Sequence, residues 1–104
     1  MDQKQHVINL IYKAMDNINK FLPEEKRLKK KVDTFLWDEE TGGNLDSLGM
    51  VNFIVVLEQD VSKELGVSLM LADDLIITTG SNPFQSVDIL SDNICILLKE
   101  TTTN

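Results

Sequence analysis

Among the side chains able to do chemistry, Ser47 has the most informative surroundings, Asn44-Leu45-Asp46-Ser47-Leu48-Gly49-Met50. Its hydroxyl follows an acid, precedes a leucine, and lies where the turn Thr41-Gly42-Gly43-Asn44 delivers the chain to a long helical pattern. That is a place to attach something. The other candidates read more plainly. His6 has no nearby acid or second ligand and reads as a surface residue near the start of a helix. A hydrolase built on Ser47, His6 and an acid would need a strained strand-to-helix elbow around the serine, and no such pattern surrounds it. Cys95, between Ile94 and Ile96 with no cationic neighbour, reads as a small core residue rather than a nucleophile. As the only cysteine it makes no internal disulfide, and no cysteine and histidine cluster has zinc-ligand spacing, so no metal site is expected.

The elements that must position Ser47 are helical. Val7, Ile8, Ile11, Ala14, Met15, Ile18, Phe21 and Leu22 recur at the three-and-four spacing of one helix face, and Pro23 ends that helix. Pro23-Glu24-Glu25 then opens a short helix that carries Leu28, Val32 and Phe35 or Leu36 inward. Trp37 and Phe35 pin the long loop to the core. Asp46 and Ser47 are both good N-cap residues for the next helix. There Met50, Phe53, Ile54, Leu57, Val61 and Leu65 share one face, whereas Leu48, Val51 and Val55 project from a neighbouring one. This second set, beside Glu58 and Asp60, reads either as a partner-binding face or as part of a wide buried stripe. Gly66 supplies the stop. Val67, Leu69 and Leu71 read as an extended linker, residues 73–80 as a short turn of helix, and Ser86 as the cap of a last helix with Val87, Leu90, Ile94, Leu97 and Leu98 inward. The tail from Thr101 is expected to fray.

A chain of 104 residues is long enough for one core, giving a single domain over residues 1–104. Its 42% hydrophobic and 26% charged residues exclude general disorder. The N-terminus lacks a signal-peptide pattern and no apolar run spans a bilayer, so the expectation is a soluble, monomeric, cytoplasmic protein without membrane insertion. Residues 1–43 hold eight basic and eight acidic side chains, and residues 44–104 hold two basic and nine acidic ones. The whole net charge of -7 therefore lies from the Ser47 stretch onward, a field that favours basic protein surfaces and repels nucleic acid. The run Lys26-Arg27-Leu28-Lys29-Lys30-Lys31 lacks aromatic interleaving and is balanced by nearby acids, so it reads as a solvated face or loop.

Three features together resemble the acyl carrier proteins. Asp46-Ser47-Leu48 is similar to that family's attachment motif at the head of its second helix. Val51-Asn52-Phe53-Ile54-Val55-Val56-Leu57-Glu58 is similar to its apolar helix ending in acids. Asp74-Leu75 followed by Pro83-Phe84-Gln85-Ser86-Val87-Asp88-Ile89 is similar to its short third helix and the start of its fourth. The resemblance implies an all-α bundle of four helices, three long and one short, with a long first loop. It implies 4'-phosphopantetheine bound covalently to Ser47 by a phosphopantetheinyl transferase, with Asp46 helping that magnesium-using enzyme to position the reacting groups. A serine at a helix start suits the group, because the first-turn amides and the positive end of the dipole surround its phosphate. The implied partners are acyl-loading and acyl-processing enzymes with basic surfaces, docking on Leu48, Val51, Val55 and Glu58. The carrier itself is not an enzyme; tethering raises the local concentration of its cargo. Gly49 and Asn52 stand where many members of the family carry acids, which points to a specialised pathway rather than general fatty-acid synthesis. Peptidyl, aryl and D-alanyl carriers share the prosthetic group, and an unmodified helical interaction module is the remaining alternative.

Overall fold

The computed structural model describes residues 3–37, 45, 47–71 and 84–102. Three α-helices account for most of them: α1 (Gln3–Asn19), α2 (Ser47–Leu65) and α3 (Val87–Thr102). The chain is all-α, and the single backbone bridge among the described residues pairs Phe35 with Ser86. The turn at Thr41–Asn44 and the expected short helix over 73–80 lie outside the described residues.

Helix α1 is the shared element, packing against both α2 and α3. Two partners demand a broad apolar face, and Val7, Ile8, Leu10, Ile11, Ala14, Met15 and Ile18 are all buried. Leu10, absent from the sequence pattern, is buried for that reason. Phe21 departs the other way. The helix ends at Asn19, before the phase reaches Phe21, and that ring is 85% exposed. Two turn bonds, Phe21 N to Ile18 O and Leu22 N to Asn19 O, carry the chain out of the helix ahead of Pro23, which disfavours helical geometry in the residue before it.

The short helix expected from Pro23 to Leu36 is not formed. Glu24–Lys26 makes one 3-10 turn, and Arg27 is already extended. Side chains divert the backbone groups that a helix would have used. The Asn19 amide clamps Leu28 at both ends, accepting from Leu28 N at 2.7 Å and donating from Nδ2 to Leu28 O at 2.9 Å. The Thr34 hydroxyl donates to Lys29 O at 2.6 Å. Leu28 and Leu36 are buried as expected, but Val32 faces out at 46% exposure and Phe35 is half-buried. Trp37 packs against the core, as its size predicts.

This long loop also completes α3. The first amides of a helix lack intrahelical partners. Here Val87 N donates to Thr34 O at 3.2 Å, Asp88 N to Val32 O at 2.8 Å, and Ile89 N to the Ser86 hydroxyl at 3.3 Å. Ser86 is thus the cap its type predicted. Helix α3 buries Val87, Leu90, Ile94, Leu97 and Leu98, with Cys95 half-buried against the core, and runs on through Thr102, past the point where fraying was expected. Gly66 ends α2 in the left-handed region at φ +69, with its amide bonded to Ser62 O at 3.0 Å. Beyond it residues 67–70 form a non-helical link in which Leu69 is buried and Met70 exposed; Leu71, expected in the same link, is buried but already helical.

Candidate attachment and docking site

Helix α2 sorts its apolar residues into two sets. Met50, Phe53, Leu57 and Val61 are buried, with Ile54 and Leu65 half-buried beside them. Leu48, Val51 and Val55 are exposed at 71%, 57% and 47%. These three are therefore not the flank of a wide buried stripe. They form an apolar surface on the first three turns of the helix, where exposure of branched aliphatic side chains is costly unless something covers them. Glu58, one turn further on, is half-buried. Asp60 is half-buried too, and its Oδ2 has no hydrogen-bond partner.

Ser47 is the first residue of α2. Asp46 and the Ser47 side chain lie outside the described residues, so the geometry around them rests on the helix and its neighbours. The backbone amides of that first turn and the helix dipole favour an anionic group at this end. The next residue, Leu48, projects into an open, mainly apolar groove of about 480 Å³, which also takes in Gly49, Asn52 and Val55 from α2 and Ile18, Phe21 and Leu22 from the end of α1. The start of α2 thus faces open space on at least one side, as a residue that receives a large group and presents it must.

The same groove fixes the relation of α1 to α2. The end of α1 meets the first half of α2, and Lys13, further back on α1, reaches Glu64 in the last turn of α2 at 3.7 Å. The two helices are antiparallel. His6 lies twelve residues up α1 from Ile18, about 18 Å along the axis at 1.5 Å per residue. The fold therefore does not bring His6 to the start of α2, which removes the serine-histidine hydrolase arrangement on distance alone.

The acidic excess of the second half is partly met within the fold. Lys4 Nζ lies 2.8 Å from Asp88 and 2.9 Å from Asp92, and Glu64 faces Lys13. The hydrogen bonds to Asp88, then to Asp92, hold the Lys4 ammonium above the ordinary lysine range. These pairings reduce the negative field that α3 and the end of α2 project. The basic run is mostly solvated, as expected: Lys26, Arg27, Lys29, Lys30 and Lys31 are exposed, and Lys30 makes one long contact with Asp16 at 3.3 Å. Sequence reasoning missed the groove and the exposed Phe21, because both depend on where α1 stops.

No helix among the described residues is long and apolar enough to cross a membrane. Comparison of the chain with protein-family models, curated proteins and solved structures finds no match.

Proposed function

We propose that this chain is an acyl carrier. A separate phosphopantetheinyl transferase attaches 4'-phosphopantetheine to Ser47, with Asp46 positioning the reacting groups, and the carrier presents its acyl cargo to partner enzymes of fatty-acid, polyketide or related synthesis. The observation that carries the reading is the placing of Ser47 as the first residue of α2, directly beside the exposed Leu48, Val51 and Val55. An attachment point and a surface for transient docking thus share one end of one helix.

When bound, the prosthetic group supplies the thiol that forms the thioester. The residues of the chain do the rest. The buried side of α2, from Met50 to Val61, holds the serine at a fixed point of the bundle. Leu48, Val51 and Val55 supply a small apolar contact area for enzymes with basic surfaces, and Glu58 lies at its edge. Such a contact favours rapid release, which a shuttle between enzymes requires. A monomeric, cytoplasmic protein belongs to the same reading.

The test is intact-mass measurement after incubation with coenzyme A, magnesium and a promiscuous phosphopantetheinyl transferase. The wild type should gain one phosphopantetheinyl group and Ser47→Ala none. An unmodified wild type refutes the carrier. If that same protein still captures a partner through Leu48 and Val51, the unmodified interaction module takes its place, since the exposed stripe favours it equally. Loading assays with fatty acyl, peptidyl, aryl and D-alanyl donors then identify the cargo class.

A further inference from the structure

The turn after α1 and the strap that follows it combine features that the carrier reading does not use. Phe21 is the most exposed large apolar residue described, at 85%, and it is held in a hydrogen-bonded turn. Lys20 precedes it. Five residues later begins the run with five cations in six positions, every one exposed. The run is mounted rigidly: Asn19 clamps both backbone polar groups of Leu28, Leu28 is buried, and Thr34 ties down Lys29 O. Arg27 Nε donates to Leu22 O at 3.3 Å, which sets a guanidinium beside a residue lining the apolar groove. Among the described residues Lys26, Arg27, Lys29 and Lys31 make no ion pair.

We propose that the segment from Lys20 to Lys31 docks the protein on an anionic phospholipid surface, with Phe21 entering the interfacial layer and the strap cations facing the lipid phosphates. Charge complementarity selects the headgroups, because basic residues held near an anionic leaflet each add roughly fivefold to affinity. The protruding ring selects lipid over other polyanions. A soluble acidic peptide would engage the strap and leave Phe21 in water, and the groove that the ring lines is mainly hydrocarbon, from Leu22, Leu48 and Val55, with Asn52 its one polar side chain. An apolar body flanked by long cationic side chains that reach the phosphates is the arrangement of an interfacial anchor. Glu24, Glu25 and Asp33 lie within the same stretch, so six cations stand against three acids from Lys20 to Asp33. Binding is therefore reversible and salt-sensitive. It is independent of any modification at Ser47.

The full chain is sedimented with vesicles of phosphatidylglycerol and of phosphatidylcholine, in about 50 mM and about 0.5 M salt. Wild type should pellet with phosphatidylglycerol at low salt only. Lys29→Glu/Lys31→Glu should weaken binding at least 25-fold, at roughly fivefold for each cation lost, and Phe21→Ser about tenfold. Both substitutions fall on exposed side chains, and circular dichroism checks that the helices persist. Lys63→Glu/Lys99→Glu, equal in charge but on other elements, should bind as wild type. A wild type that stays in the supernatant overturns the proposal, as does a control variant that loses binding as fully as the strap variant. Capture of a polyglutamate peptide by the strap with no pelleting of vesicles overturns it in favour of an acidic protein partner.

Discussion

Replacing Asn19 tests whether one side chain organises the loop that precedes Ser47. In Asn19→Ala the Leu28 amide and carbonyl lose their partners at 2.7 and 2.9 Å. Each such bond contributes about 1 kcal/mol net, and a group left unpaired in a partly buried site costs somewhat more. Undocking of Leu28, only 5% exposed, would add up to about 2 kcal/mol. Alanine is the better helix former at the last residue of α1, which offsets at most about 0.5 kcal/mol. The expected loss is about 2 kcal/mol. With a urea slope of roughly 1.3 kcal/mol/M for a domain of this size, the unfolding midpoint should fall by about 1.5 M at unchanged slope. Asn19→Asp keeps an acceptor for Leu28 N but sets a second carboxylate oxygen against Leu28 O, so it should lose about 1 kcal/mol. Hydrogen exchange at the Leu28 amide supplies the local readout, protected in wild type and fast in the alanine variant. A loss below about 0.5 kcal/mol with protection retained would refute the clamp. Full stability of the aspartate variant would show that the Nδ2 donor does nothing.

Phe53→Ala removes a fully buried ring at the centre of α2 and should cost about 3–5 kcal/mol, a large share of the stability of a small domain; a calorimetric or urea measurement decides it. Gly66→Ala meets no atom within 4 Å of the added Cβ, so its cost is that of the left-handed backbone alone, about 1 kcal/mol, and Gly66→Asn should lose less than half of that. Lys4 has a folded-state pKa raised above its ordinary value of 10.5, first by the bond to Asp88 and then by that to Asp92. Its contribution to stability is thus present in full below that ordinary value and is lost as pH rises through the raised one. The gap in urea midpoint between wild type and Lys4→Met should hold steady from neutral pH to about 9.5, close above that, and shrink in high salt because the group is exposed.

Periodicity in the sequence determined the three long helices, the buried sets Met50, Phe53, Leu57, Val61 and Val87, Leu90, Ile94, and two termini, the Ser86 cap and the Gly66 stop. These follow from local rules: spacing sets which residues share a face, and a hydroxyl or a missing Cβ settles how an end is satisfied. The start of α2 at Ser47 was legible for the same reason, from two good capping residues ahead of an apolar run. Tertiary structure decided the rest. Whether Leu48, Val51 and Val55 were core or surface depended on how much of α2 its neighbours cover. The loop after Pro23 had helical spacing at Leu28, Val32 and Leu36, yet Asn19, Thr34 and the bare first amides of α3 took its polar groups instead. Those partners stand more than fifty residues apart in sequence at the widest, between Val32 and Asp88, and a hydrogen bond depends on distance in space. No pattern along the chain contains it.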